Sequence, residues 1–263
     1  MSDLITSAAN PAVKRVRALA DRKHRRREHA YVVEGLQPVW RAVTAGVPVE
    51  LIMIAPDLLG NPAALAMVAE QENAGVPVAR VNADIFTRLS ERDGPAGLLA
   101  ILSGGIGTLN DLVITDDSVF VVLHQLSTPG NIGTIIRTVD AAGAQAVILL
   151  GNSADPLSPA AVKASMGSLF AVPVVAVATE AELLEWASDL HVAALTGAGA
   201  TDLWQAELPR PLLLMFGNEG AGLTDSLIEA ADSRIRIAMD GTAESLNVAA
   251  AAAITLYELK RRG

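Results

Sequence analysis

Short apolar runs of strand length alternate along the chain with longer stretches whose apolar positions recur at helical spacing. In the first 107 residues this pattern predicts a helix over 10–27, a strand at Tyr31, Val32 and Val33, a helix over 36–45 and a strand over 50–54. It continues with a helix over 62–74 and strands over 76–80 and 97–102. Strands alternating with helices imply an α/β sheet in layers. Residues 103–108, SGGIGT, pack three glycines into five positions and read as a linker. The domain boundary is placed there, giving a first domain over 1–107, a connection over 108–117 and a second domain over 118–263.

The second domain differs in the texture of its strands. Runs at 119–123, 146–150, 172–177, 191–195, 212–216 and 235–239 are continuously apolar instead of alternating. A strand reads this way when both of its faces are buried, so the runs predict a mostly parallel sheet with helices on both faces. A helix over 245–261 closes the chain. Its alanines suit close packing, and Lys260, Arg261 and Arg262 place positive charge at the helix C-terminus, where the dipole favours it.

Composition narrows the chemistry. A hydrophobic fraction of 51% over 263 residues supplies core enough without staples. The absence of cysteine excludes disulfides, thiolate nucleophiles and metal sites built on thiolates. His24, His29, His124 and His191 lack metal-ligand spacing, so no metal is expected. No apolar run approaches the roughly 20 residues that cross a bilayer, which predicts a cytoplasmic protein without a membrane partner. The net charge of −9 argues against a nucleic-acid partner until its distribution is considered. Residues 14–27, KRVRALADRKHRRR, hold eight of the 20 basic side chains and a single acid, a local charge of +7 that leaves −16 for the remainder. Lys14, Arg15, Arg22, Lys23, Arg25, Arg26 and Arg27 thus form either a solvated helix face or an arm that contacts phosphates.

Three loops after second-domain strands carry polar groups that packing does not require. In open α/β sheets ligands collect at the carboxyl ends of strands, so the three are candidates for a single site. The first, STPGNIGTIIR over 127–137, has Asn131 where a helix N-cap would fall and Arg137 less than two turns further up the helix. Asn131 is a cap or a functional amide, and Arg137 an ion-pair residue or part of a site facing an anion. The second, FGNEGAGL over 216–223, carries three glycines that permit close backbone approach, and an Asn218, Glu219 pair that a plain turn does not need. Its glycine order fails the dinucleotide fingerprint. The third, IAMDGTAESLNV over 237–248, ends a strand, turns, and opens the last helix with Ser245 and Asn247. Ser245 is an N-cap or a site hydroxyl.

Together these clusters resemble the motifs of the SpoU/TrmH methyltransferases of the SPOUT superfamily: Asn-x-Gly-x-x-x-Arg-Thr, Gly-x-Glu-Gly-x-Gly and Ser-Leu-Asn-Val, in that order. A fourth stretch, KASMGSLF over 163–170, is similar to the family's Arg-Ala-Ser-Met-Gly segment, with Lys163 in the arginine's place. The resemblance covers about 118–260. More weakly, the Ser-x-x-Asn-Pro opening and Val33-Glu34-Gly35 are similar to the small ribosomal-protein-like RNA-binding domain of the rRNA-modifying branch. Thr128-Pro129 stands where the family usually has Asp-Pro, and Ile237-Ala238-Met239 where it has Ile-Pro-Met; neither departure falls on a matched functional position.

The resemblance implies a C-terminal trefoil knot, which sequence physics alone never proposes, and a homodimer. It implies S-adenosylmethionine-dependent methylation of a ribose 2′-hydroxyl in RNA, with ribosomal RNA preferred to transfer RNA because of the first domain's likeness. Asn131, Arg137, Glu219, Ser245 and Asn247 become the expected catalytic set. Leu195, Thr196 and Gly197 are expected on the adenine side of the cofactor, with Gly217, Asn218, Ile237, Met239 and Leu246 around it. Arg137 is expected to bind phosphate and stabilise charge growing on the 2′-oxygen, because a guanidinium holds its proton too tightly to act as a base near neutrality. With aromatics at 3% of the chain, RNA recognition rests on charge, shape and the 2′-hydroxyl. Two rival readings are a catalytically silent RNA-binding protein of ribosome assembly and an oxidoreductase using Gly197-Ala198-Gly199-Ala200, whose dinucleotide fingerprint is incomplete.

Overall fold

The computed structural model describes residues 4–91 and 94–262. The chain divides into two compact units: residues 1–105 with 157–170, and residues 106–156 with 171–263.

In the first unit, β1 (Ala30–Glu34), β2 (Val49–Ile54), β3 (Val78–Arg80) and β4 (Leu98–Ser103) form a sheet in the order β1-β4-β2-β3. β4 is antiparallel to β1 and β2, whereas β2 and β3 run parallel. Every residue of 98–102 is buried, because each face of β4 is covered. Leu98, Ala100 and Leu102 pack with α3 (Leu36–Thr44) and α4 (Pro62–Asn73). Leu99 and Ile101 pack with α1 (Pro11–Ala18) and α5 (Ala83–Leu89). The helix expected over 10–27 is two helices, α1 and α2 (Arg22–Glu28). Asp21, the one acid in the basic run, caps α2 by accepting from the Lys23 N–H at 2.7 Å. The carbonyls of Leu19 and Ala20, freed at the break, accept from the Arg25 guanidinium at 2.8 and 2.6 Å. Helix α5, which the spacing did not predict, is short and is capped by Asn82, whose side chain accepts from the Ile85 N–H at 2.9 Å.

Among the described residues the second unit holds seven parallel strands: β5 (Val119–His124), β6 (Ala146–Leu150), β7 (Val174–Val177), β8 (His191–Leu195), β9 (Thr201–Asp202), β10 (Leu212–Phe216) and β11 (Ser233–Arg236). Their order is β7-β6-β5-β10-β8-β11-β9. All residues of β5, β6 and β10 are buried, as continuous apolar runs require. Phe120, Val122, Ile148 and Met215 share one core with Leu183 of α8 (Glu180–Trp186) and Leu227 of α9 (Asp225–Glu229). The Phe120 ring meets Trp186 edge-on at 5.1 Å. Each such side chain contributes roughly 1.5–3 kcal/mol by leaving water. α6 (Pro129–Ala142) and α10 (Val248–Arg262) pack together, and Lys260 donates to the Ala141 carbonyl at 3.0 Å.

Four expectations shift. The last strand lies at 233–236, not 235–239, and the last helix begins at Val248, not at 245. Part of the expected connection is built into the second unit: Gly107 pairs with Val175, and a 3₁₀ turn at Leu109–Asp111 buries Leu109. Helix α7 (Pro159–Ser165) and the rest of 157–170 belong to the first unit, with Val162 in its core. Among the described residues no helix is long and apolar enough to cross a membrane.

Candidate active site

Strand register decides where the site lies. Leu123 pairs with Phe216, Phe216 with Leu195, and Leu195 with Ile235. Four parallel strands therefore end level, and the loops after β5, β8, β10 and β11 leave the same edge of the sheet.

The loop after β10 is folded tightly on itself. Asn218 and Gly222 exchange backbone hydrogen bonds at 3.1 and 2.9 Å. The Asn218 side-chain oxygen accepts from the N–H groups of Gly220 and Ala221 at 2.9 and 3.1 Å, and its amide nitrogen donates to the Gln125 carbonyl at 2.8 Å. Both ends of that amide are thus occupied in building the loop. Gly217 has to be glycine, since a Cβ there would stand 2.1 Å from the Gly222 carbonyl carbon.

A line of hydrogen bonds joins the three sequence clusters. Asn131 Nδ2 donates to Glu219 Oε1 at 2.9 Å, and Asn131 Oδ1 accepts from Asn247 Nδ2 at 3.3 Å. An amide suits the middle position because it offers a donor and an acceptor together. Burial works to raise the pKa of Glu219, but hydrogen bonds from its own backbone, Asn131, Thr128 and the Ser127 backbone outweigh it. The carboxyl is left below the ordinary carboxylate range. Thr128, not Asn131, occupies the N-cap position of α6, and Asn131 lies in its first turn. Asn247, not Ser245, caps α10, its Oδ1 accepting from the Ala249 N–H at 2.9 Å.

Beside this line lies a cavity of about 540 Å³. Leu195, Thr196 and Gly197 after β8, Gly217 and Asn218 after β10, and Ile237, Met239 and Leu246 after β11 all line it. Glu219 and Ser245 line it too. Arg137 stands apart: it is exposed on α6, about 9 Å further along the helix than Asn131, with no hydrogen-bond or ion-pair partner among the described residues.

The basic run is less uniform than its sequence. Lys14, Lys23, Arg26 and Arg27 are exposed and Arg22 is half-buried. Arg15 pairs with Glu28 at 3.1 Å and with Glu50. Arg25 is buried against the Leu19 and Ala20 carbonyls, where it braces the corner between α1 and α2.

Sequence reasoning missed Arg236 and Glu244, which bring one cation and one further carboxylate to the cavity wall. Arg236 donates to the Gly199 carbonyl at 3.2 Å. It directly precedes the third cluster, and that adjacency was the available signal. Gly199, considered above as part of a dinucleotide loop, has a packing reason: a Cβ there would lie 2.5 Å from the Ile235 carbonyl carbon.

Comparison with known proteins bears on this arrangement. The SpoU rRNA Methylase family model matches residues 118–257, and an MRM3-like substrate binding domain model matches 10–100. The chain is 31% identical over 252 residues to the 23S rRNA (uridine(2479)-2′-O)-methyltransferase of Streptomyces viridochromogenes, covering 93% of this chain and 87% of that one. It is 28% identical over 264 residues to the 23S rRNA (guanosine(2553)-2′-O)-methyltransferase RlmP of Bacillus subtilis, covering 97% and 98%. It superposes with a TM-score of 0.90 on the crystal structure of an AdoMet-bound rRNA methyltransferase from Sinorhizobium meliloti, 34% identical, covering 99% of this chain and 98% of that chain. Three motif loops on one sheet edge, joined through Asn131, and a family model that spans more than half of the sequence lead to one assignment: the chain belongs to the SpoU rRNA methylase family.

Proposed function

We propose that this chain transfers a methyl group from S-adenosylmethionine to a ribose 2′-hydroxyl of ribosomal RNA of the 23S type. The observation that carries the reading is the line Glu219, Asn131, Asn247, one residue from each motif loop, beside the cavity. The cavity fits that cofactor in size and in chemistry. Leu195, Ile237 and Leu246 would hold the adenine and the methyl-bearing end. Glu219 and Glu244 suit its positive charges, and Arg236 suits its carboxylate.

S-adenosylmethionine, when bound, supplies a methyl group made electrophilic by its sulfonium. The acceptor hydroxyl is a poor nucleophile until its proton leaves, and in this reading that proton passes to bulk water as the methyl is transferred. Arg137, free of protein partners among the described residues, binds the phosphate beside the acceptor ribose and stabilises negative charge growing on the 2′-oxygen. Ser245, on the cavity wall, orients the hydroxyl. Asn131, Asn247 and Glu219 act as positioning residues that keep the loops in one geometry.

In this reading residues 1–107 bind the RNA substrate, 108–117 connect, and 118–263 form a knotted methyltransferase domain. Support for the knot comes from the 196–206 segment, which runs close against the Ile235 backbone at Gly199 and pairs beside β11 as β9, while Arg262 of α10 donates to the carbonyls of Leu203 and Ala206. A homodimer would cover the exposed Trp204 and Tyr257, and work on ribosomal RNA would place the protein in the cytoplasm. The test is transfer of labelled methyl to total rRNA and, separately, to tRNA, followed by nuclease digestion and nucleoside mass analysis. A 2′-O-methylnucleoside from rRNA alone is expected. Methylation of tRNA alone overturns the substrate, and RNA affinity without cofactor binding overturns the enzyme in favour of a silent assembly protein.

A further inference from the structure

A second cavity, of about 220 Å³, opens within the first unit, and nothing in the methyl-transfer reading uses it. Its wall combines three features. Val32, Leu99 and Val162 supply an apolar floor. Arg17, Arg88 and Lys163 bring cations, all three exposed. Glu34, half-buried, presents a carboxylate. The guanidinium groups of Arg17 and Arg88 have no hydrogen-bond or ion-pair partner among the described residues. Lys163 donates to the Glu91 carbonyl at 3.2 Å, so the family's fourth sequence stretch begins at this cleft.

We propose that this cleft recognises a single unstacked guanine of the RNA substrate; the proposal rests on the reading that RNA is that substrate. Volume comes first: the cleft accepts a nucleoside and excludes a helix. Charge follows. Three cations stand against two carboxylates at the wall, Glu34 and the exposed Glu91, an excess that favours a phosphate-bearing ligand although residues 108–263 are acidic. The chemistry of Glu34 then selects the base. Its Oε1 accepts from the Ser90 hydroxyl and its Oε2 from the Glu91 N–H at 3.3 Å. Those two bonds fix the carboxylate, and each oxygen keeps a further lone pair. Of the four bases, guanine alone presents two adjacent N–H donors, N1–H and N2–H, that match two oxygens of one carboxylate. Guanidinium planes and aliphatic floor residues take over the stacking that aromatic side chains would otherwise supply.

The test uses the full-length protein without methyl donor and four fluorescein-labelled RNA heptamers, UUUGUUU, UUUAUUU, UUUCUUU and UUUUUUU, with anisotropy as the readout. UUUGUUU is expected to bind about tenfold tighter than the others, the size of a bidentate base contact. Glu34→Gln should erase that preference and leave UUUUUUU affinity unchanged, because a carboxamide offers guanine one acceptor in place of two. Arg88→Ala should weaken all four alike. Equal affinities in the wild-type protein, a preference for another base, or a guanine preference that survives Glu34→Gln would each overturn the proposal. The wild-type comparison decides even if Glu34→Gln fails to fold. S-adenosylmethionine titrations on the same preparation separate the two readings: cofactor binding with flat heptamer affinities rejects the cleft and leaves methyl transfer standing.

Discussion

The hydrogen-bonded line through Asn131 can be tested by a double-mutant cycle with Glu219. The Asn131 N–H meets a carboxylate at 2.9 Å, and a hydrogen bond to a charged group is worth about 1.5–3 kcal/mol where shielded. This one is open to water, so about 1 kcal/mol is the fitting figure. The bond to Asn247, neutral and 3.3 Å long, adds about 0.5 kcal/mol. Asn131→Ala should therefore loosen the loops by about 1.5 kcal/mol, which raises the Kd for S-adenosylmethionine roughly tenfold if the loops form its cavity. Glu219→Gln removes the charge at nearly constant shape, and calorimetric titration of both single variants and the double should give a coupling near 1 kcal/mol. Asn131→Asp should be worse than Asn131→Ala, since it sets one carboxylate against another. Additivity within about 0.3–0.5 kcal/mol, or wild-type affinity in Asn131→Ala, would refute the idea that this line holds the site together. The pH dependence has a defined sign. Because the Glu219 pKa is lowered in the fold, its contribution is complete above the ordinary carboxylate pKa of about 4.3 and is lost as pH falls through the folded value. Cofactor affinity should be flat through neutrality and decline only in acid.

Other parts of the molecule give shorter tests. Arg137→Ala should lower methyl transfer by about 10²–10³-fold with the cofactor Kd unchanged, and Arg137→Lys should recover little because the planar fork is lost; near-normal turnover of the lysine variant rejects the phosphate-clamp role. Gly217→Ala places a methyl 2.1 Å from the Gly222 backbone and should abolish cofactor binding in a calorimetric titration. Neutralising Lys23, Arg26 and Arg27 together should flatten the salt dependence of RNA binding, by about 0.7–0.9 per lost contact, whereas replacing Arg25 should lower the melting temperature instead. Glu258, buried in α10, has its pKa held down to about 2 by hydrogen bonds from Arg261 and Arg262. Its stabilisation is present above about pH 4.5 and fades toward pH 2, so melting curves of Glu258→Gln should lie below wild type at pH 7 and converge with it near pH 2.

What could be seen in advance followed from how local each signal is. The buried strands of the second unit were visible because residues such as Val121, Ile148 and Leu214 sit in runs with no polar interruption. The loop after β10 was visible because three glycines and Glu219 are neighbours in sequence. The true caps were not. Asn131 and Ser245 both have the chemistry of an N-cap, and choosing Thr128 and Asn247 instead depends on where the preceding chain turns. The break at Leu19–Asp21 was hidden for a related reason: Arg25 folds back on two carbonyls, an interaction across six residues that helical periodicity does not encode. Residues 157–170 read as second-domain sequence but fold with the first unit, because Val162 has its apolar partners there.

Charge explains why the arrangement needs so few cations in the right places. Residues 108–263 carry eighteen carboxylates and eight Lys or Arg, so the part of the chain that holds the cofactor cavity repels a polyanion at long range. Several of those cations are already engaged: Arg261 and Arg262 with Glu258, Lys260 with a carbonyl, and Arg236 with Gly199. Arg137 is exposed and, among the described residues, unengaged, so an approaching phosphate meets a charge that no carboxylate there pairs with. In the first unit Arg17, Arg88, Arg26 and Lys14 are exposed too. RNA that reaches the site must then be captured by discrete contacts instead of by a general positive field. Affinity for arbitrary RNA stays low, and discrimination depends on whether phosphates and an unstacked base fall where those few side chains stand.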